Sequence, residues 1–293
     1  MSVENIADLI RLARPRQWVK NCFIFFPLIF SGHFADQGLL LRALWVFAAF
    51  SLTASSVYIA NDILDVARDR YHPKKSQRPL VTHRVGVVWA VAMSASFCIS
   101  GLAIAYLLGW EVNMIILGYL LIHIIYNFYA KNVVLLDGFL IGIGFLLRVW
   151  AGAYAVGVIP SEWLVLCIFL LALFLIFAKR RFELSTLKEK AVDHRGVLAH
   201  YTPYLLDQII IICSTLTIVF YGLYAISPDV LRRVGYGMVY SLLFVIYGIF
   251  RYLYLIHVKK LGGDPGDVFL SDRPLFWNTV LWIVLVFFII YRS

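Results

Sequence analysis

The sequence is short of charge. Only 15% of its 293 residues are Asp, Glu, Lys or Arg, against 62% hydrophobic, and the mean hydropathy is +0.83. A soluble domain is nearer half apolar, so this scarcity excludes an ordinary soluble fold. Cysteine is sparse as well. Cys22, Cys98, Cys167 and Cys213 stand in separate apolar stretches without metal-ligand spacing. That excludes a zinc site and reads as plain buried residues. The histidines form no ligand pattern either: His72, His194 and His200 are not spaced to share a metal. No low-complexity linker or appended soluble domain interrupts the chain. No small-residue cleavage site follows the charged first 16 residues, so no cleavable signal peptide is expected.

What is present is a series of long apolar runs. A membrane helix takes about 20 apolar residues. Nine spans are expected, at 20–36, 39–61, 85–108, 112–130, 134–157, 162–179, 204–226, 233–257 and 274–291. The 26 Lys and Arg outnumber the 17 Asp and Glu, for a net charge of +9. With the N-terminus inside, 20 of those 26 fall in the cytoplasmic segments 1–20, 62–84, 131, 179–203 and 258–273. Two readings fit this distribution and are compatible, the positive-inside bias and a basic site for an anionic substrate; neither calls for nucleic acid. The expected fold is an all-α integral membrane protein, one polytopic domain over 1–293. Residues 3–14 read as an amphipathic helix with Ile6, Leu9, Ile10 and Ala13 on one face and Asp8 and Arg11 off it. Residues 1–16 are therefore expected to lie in the membrane interface.

Three constellations carry chemistry. Asn61 and Asp62 close the second span, and Asp65 and Asp69 follow at i+3 and i+7 from Asp62. On a helix these three carboxylates share a face. Their repulsion is relieved by a divalent cation, and Mg²⁺ shares such oxygen ligands with substrate phosphates. Lys74, Lys75 and Arg78 come next, within reach of phosphate oxygens. The second set is Tyr126, Lys131, Asp137 and Arg148. Asp137 and Arg148 are eleven residues apart, roughly 16 Å of helix rise, so they share a face without pairing. That face is expected to line a polar cavity. The third set is Lys179-Arg180-Arg181-Phe182-Glu183, at the end of the sixth span. Lys20 and Asn21 enter the first span near the same membrane face. The turn-rich stretch 258–273 has no role evident from its residues.

These residues resemble the UbiA-type prenyltransferase superfamily, whose first aspartate-rich motif is similar to Asn61-Asp62-x-x-Asp65-x-x-x-Asp69. The resemblance implies nine transmembrane helices around a central cavity open to the cytoplasmic face, with Mg²⁺ and a diphosphate near that face. A narrower resemblance, to the decaprenyl-phosphate phosphoribosyltransferase branch, rests on several motifs. They are Arg14-Pro15-Arg16-Gln17-Trp18-Val19-Lys20-Asn21, His72-Pro73-x-Lys75-x-x-Arg78-Pro79, the Tyr126/Lys131/Asp137 set, Lys179-Arg180-Arg181-x-Glu183-Leu184 and Asp272-Arg273-Pro274. Where the wider superfamily carries a second aspartate-rich motif, this chain has Lys179-Arg180-Arg181-x-Glu183.

The resemblance implies transfer of 5-phosphoribose from phosphoribosyl pyrophosphate to a polyprenyl phosphate, releasing pyrophosphate, for lipid-linked arabinose precursors. Asn61, Asp62, Asp65 and Asp69 are the expected metal ligands. Lys20, Asn21, Asn61, Lys75, Arg78, Tyr126, Lys131, Arg148, Lys179, Arg180 and Glu183 are the expected substrate-binding residues. Asp137 is expected beside the reacting sugar, to stabilise an oxocarbenium-like centre or orient a ribose hydroxyl. The expected location is the plasma (inner) membrane, with the site on the cytoplasmic side; a homo-oligomer is compatible. Two other readings stay open: an aromatic prenyltransferase of the 4-hydroxybenzoate type, and a transporter of a phosphorylated metabolite.

Overall fold

The computed structural model describes residues 3–70, 75–187 and 196–292. Every regular element among them is helical. Helices satisfy their backbone groups within one segment, which a hydrocarbon surrounding demands. In chain order they are α1 Val3–Ala13, α2 Phe26–Phe30, α3 Gln37–Leu64, α4 Val66–Asp69, α5 Val87–Leu108, α6 Trp110–Phe128 and α7 Leu136–Val156. Then come α8 Glu162–Leu187, α9 Pro203–Ala225, α10 Pro228–Val234, α11 Gly237–His257, α12 Pro265–Ser271 and α13 Arg273–Arg292. Side-chain caps mark several starts. Asp36 accepts from the Leu39 amide at 3.0 Å before α3, and Thr202 from the Leu205 amide at 3.1 Å before α9. Pro203 then opens α9, where its missing N–H leaves no helix bond unmade.

Eight helices are long and apolar enough to cross a membrane: α3, α5, α6, α7, α8, α9, α11 and α13. They account for eight of the expected spans. The segment 20–36 is not one long helix. A 3₁₀ stretch runs Pro15–Phe25, and α2 adds only five residues. Pro27 cannot donate a backbone hydrogen bond, so the winding changes there. Gly152 also matters: a Cβ there would land on the Ile24 carbonyl, so α7 meets this stretch backbone to backbone.

By packing, the chain resolves into two compact units, residues 1–128 with 147–159, and residues 129–146 with 160–293. In the first, α3 lies against α5 through small and hydroxyl side chains. Ser51, Thr53, Ser55 and Ser56 are buried on α3. Ser94 donates to the Ser56 carbonyl at 3.0 Å, and Thr53 to the Ala49 carbonyl at 2.8 Å. Gly101 of α5 has no room for a Cβ against Thr53. Such residues let membrane helices approach closely. Helix α1 rests on this unit through Leu12, which packs with Ile59 and Leu80. Asp8 is buried, 3.6 Å from both Arg11 and Arg84, while Ile6 and Ile10 are exposed. The two neighbouring guanidinium groups make the burial of Asp8 tolerable.

In the second unit α8 packs on α9 and α11 on α13. Phe174, Phe177, Leu206, Ile210, Ile249 and Leu255 form its core. Away from these contacts, large apolar side chains face outward, among them Leu243 and Phe250 of α11 and Trp277, Leu281 and Phe288 of α13. On a membrane helix that is the side for lipid. Cys167 and Cys213 are buried as expected, but Cys22 is exposed and Cys98 half-buried. A thiol is apolar enough to face lipid without a partner.

Candidate functional site

The acidic cluster lies in the first unit. Helix α3 stops at Leu64, with Asp65 at its end, and the short α4 carries Asp69. The three carboxylates are therefore not on one uninterrupted helix. The turn pitch persists nonetheless, because the Asp65 amide donates to the Asn61 carbonyl and the Asp69 amide to the Asp65 carbonyl, both at 2.9 Å. Asp62 and Asp69 are each 3% exposed. Their charges meet arginines. Nη1 of Arg78 donates to Asp62 Oδ1 at 2.7 Å and also to Asp69 Oδ2, and Nη2 of Arg14 donates to the same Asp62 Oδ1. Asp65 is half-buried, and the Asn61 amide oxygen accepts from Asn127 of α6.

Arg14 is held there by its neighbours. The Ser55 hydroxyl donates to the Ala13 carbonyl at 2.7 Å and accepts from the Trp18 indole at 3.0 Å. The Tyr58 ring lies 5.4 Å from the guanidinium carbon of Arg14. The backbone of Arg14 is left-handed, φ 54° and ψ 55°, which a non-glycine residue adopts at a cost.

Two carboxylates that share one positive nitrogen can share a cation. Hard oxygen donors suit Mg²⁺, which takes one or two carboxylates and completes its shell with water and phosphate. Among the described residues no three His, Cys, Asp or Glu are grouped to hold a metal ion. The donor set fits that partial protein shell.

Asn21 and Arg148, expected on the substrate, are both buried. Arg148 donates through Nε to Asn21 Oδ1 at 2.7 Å and through Nη2 to the Tyr119 hydroxyl at 3.2 Å. Its guanidinium also lies over the Phe50 and Tyr119 rings, at 5.6 and 4.9 Å. Asn21 donates to Ser51 at 3.0 Å. These contacts tie this part of α7 to the 3₁₀ stretch and to α6.

Asp137 belongs to the second unit and is fully buried. Its Oδ2 accepts from Arg180 Nε at 3.0 Å and its Oδ1 from the Tyr201 hydroxyl at 3.0 Å. Tyr201 in turn accepts from the Leu135 amide at 2.7 Å. Burial pushes the Tyr201 phenol up, and the Asp137 carboxylate adds to the shift, so the hydroxyl keeps its proton and donates it. Each oxygen of Asp137 is thus engaged by a protein donor, and the pair fixes the guanidinium of Arg180 in place. Nη1 of Arg180 donates to Glu183 Oε2 at 3.0 Å.

Arg181 turns to Asp207 of α9, at 2.9 and 3.4 Å. Lys179 lies 3.5 Å from Asp264, the cap of α12. Beside it, Phe182 fills the space that a side chain at Gly262 would need. The stretch 258–273 thus packs along the basic end of α8, a place its residues alone did not reveal.

Lys20, Tyr126 and Lys131 are half-buried, Tyr126 edge-on to His123 at 6.4 Å. Of Lys75 only the backbone is described, in the 3₁₀ turn Lys75–Gln77. Lys74 and the His72-Pro73 pair lie outside the described residues. Sequence reasoning gave no site role to Arg14, Asn127 or Tyr201. Arg14 was visible as part of a motif. Tyr201 had no local signal, being 64 residues from the carboxylate it serves.

A model of the UbiA prenyltransferase family matches residues 23–280. A decaprenyl-phosphate phosphoribosyltransferase of Mycobacterium tuberculosis is 30% identical over 287 residues, covering 96% of this chain and 93% of that one. Its namesake from Mycolicibacterium smegmatis is 29% identical over 303 residues, covering 98% and 94%. Among solved structures, a UbiA homolog from Archaeoglobus fulgidus bound to GPP and Mg²⁺ superposes with a TM-score of 0.70. It is 21% identical and covers 97% of this chain and 99% of its own.

Proposed function

The chain belongs to the UbiA prenyltransferase family, and from that premise we propose that this multi-pass membrane protein moves the 5-phosphoribosyl group of phosphoribosyl pyrophosphate onto a polyprenyl phosphate, releasing pyrophosphate. The observation that carries the reading is the basic end of α8, where Arg180 is set by Asp137 and Glu183 and Lys179 stands beside it. The wider superfamily has acidic residues in that place. A donor with a 5-phosphate as well as a diphosphate needs more cationic partners than a prenyl diphosphate does. Relatives named for this activity, similar along nearly the whole chain, support the same reading.

Each residue then has a task. Asp62 and Asp69, with Asn61 and Asp65 beside them, would hold Mg²⁺, which when bound neutralises charge on the leaving diphosphate. Lys20, Lys75, Arg78, Tyr126 and Lys131 bind phosphate oxygens, as do Lys179 and Arg180, and Glu183 keeps Arg180 oriented. An oxygen of the lipid phosphate attacks C1 of the ribose. The bond from C1 to the diphosphate oxygen breaks, and its electron pair leaves with pyrophosphate. The nucleophile is already anionic, so no strong general base is needed. The lysine- and arginine-rich segments support a site on the cytoplasmic face of the plasma membrane.

Purified protein given phosphoribosyl pyrophosphate, Mg²⁺ and a polyprenyl phosphate should release pyrophosphate and form a phosphoribosyl lipid, read by mass. Silence there, with product from a prenyl diphosphate and 4-hydroxybenzoate, would replace the reading with aromatic prenylation. Uptake of a phosphorylated metabolite into liposomes without chemistry would make the protein a transporter.

A further inference from the structure

The acidic cluster is held by two arginines that come from outside its helix. Arg14 precedes the 3₁₀ stretch, and Arg78 follows α4 in the next loop. Both converge on one oxygen, Asp62 Oδ1, and Arg78 extends the bridge to Asp69. The side chains of the two acids are 4% exposed, whereas those of Arg14 and Arg78 are 27% and 24% exposed. The acids are thus closed off, and the guanidinium groups are open on one side. On these carboxylates Arg14 uses Nη2 and Arg78 uses Nη1. A guanidinium offers five donors in a planar fork matched to phosphate oxygens.

The charges balance in two ways. Two guanidinium groups and one divalent cation carry the same charge, so either can neutralise the buried pair Asp62 and Asp69. Without one or the other, two carboxylates at that spacing repel each other in a poorly solvated site. We propose that Arg14 and Arg78 are exchangeable counter-ions: they hold Asp62 and Asp69 together while no cation is bound, and on cation binding they swing onto the oxygens of the diphosphate. This makes Arg14 a substrate-binding residue and couples the two ligands, since each arginine released by a cation becomes a donor for the diphosphate. The inference rests on the metal–diphosphate reading above, but not on the identity of the sugar or the lipid.

Binding of two simple probes tests it on the purified full-length chain: Mn²⁺, followed by its paramagnetic resonance signal, and inorganic pyrophosphate. Arg14→Gln and Arg78→Gln should each bind Mn²⁺ alone more tightly than wild type, by about threefold or more, because a competitor is gone. Each should bind pyrophosphate in the presence of Mn²⁺ about tenfold more weakly, the size expected for a lost charge-assisted hydrogen bond. Arg84→Gln, which removes a nearby cation paired with Asp8, sets the effect of net charge and should change neither by as much. Arg14→Lys and Arg78→Lys keep the charge and should fall between wild type and the Gln variants. Weaker or unchanged Mn²⁺ binding in both Gln variants overturns the exchange, as does undiminished pyrophosphate binding. If the crossed pattern holds but no phosphoribosyl lipid forms, the exchange stands and the assigned reaction falls. If wild type binds neither probe, both fall.

Discussion

Arg180 and Asp137, 43 positions apart in the chain, form an ion pair, Nε to Oδ2 at 3.0 Å, with side chains 3% and 0% exposed. Taking one partner of such a pair away leaves the other charge buried and uncompensated, which costs about 3–5 kcal/mol. Asp137→Asn should therefore lower the unfolding temperature in detergent markedly, and activity with it. Tyr201→Phe deletes only the hydroxyl and should cost roughly 1 kcal/mol, plus the lost acceptor for the Leu135 amide. Because Tyr201 and Asp137 share a hydrogen bond, the double variant should lose less than the sum of the singles. Strict additivity in that cycle would remove Tyr201 from the support of Arg180.

Asp65 and Asp62 should separate under mutation. Asp65 lies outside the Arg78 bridge and is half-buried. Asp65→Asn should keep an unfolding temperature close to wild type and lose turnover. Asp62→Asn removes the acceptor of two guanidinium groups and should lose both stability and turnover, the latter by on the order of a hundredfold or more. Thermal melts alongside pyrophosphate-release rates decide it; near-normal turnover in Asp65→Asn would take that residue out of the site.

Two glycines on neighbouring helices should respond oppositely to alanine. A Cβ at Gly152 meets the Ile24 carbonyl, whereas nothing lies within 4 Å of one at Gly118. Gly152→Ala forces two backbones apart and should cost about 1–3 kcal/mol or more. Gly118→Ala, inside α6, should be neutral or stabilising by up to roughly 1 kcal/mol. Paired melts of the two variants give the comparison.

The second unit has a clasp whose strength depends on pH. Arg251 donates through Nε and Nη2 to Asp272 at 3.1 and 2.8 Å, and Asp272 also accepts from the Leu275 amide at 2.9 Å. The Arg251 hydrogen bond holds the Asp272 carboxyl below its ordinary value of 3.8, with the Leu275 amide adding to the effect. A lowered folded-state pKa means stability that is fully present above the ordinary value and lost as pH falls through the lowered one. The melting temperatures of wild type and Asp272→Asn should thus differ at pH 5 and above, and the gap should narrow progressively as pH falls below 3.8. A gap that stays constant down to pH 3 would show that the carboxyl's charge is not what the clasp uses.

The spans were legible because hydropathy is a local sum. Any window of about 20 apolar residues must leave water whatever its neighbours do, and eight of the expected spans are helices of that kind. The departure at 20–36 has a local mark in Pro27, but the close approach of α7 at Gly152, more than a hundred residues away, leaves none in that segment. The acidic motif was legible too, as a spacing. The arginines that occupy it were not assigned to it, since Arg14 and Asp62 are 48 residues apart.

By itself, then, the sequence determined the membrane class, most of the helices and which residue types crowd the acidic and basic ends. Those properties follow from composition and short-range periodicity. Only the tertiary structure decided the pairing of the charges: Arg148 with Asn21 and Tyr119, Asp137 with Arg180 and Tyr201, and Arg14 and Arg78 with Asp62. A buried charge takes whichever partner packing brings within about 3 Å, and that distance has no counterpart in linear spacing.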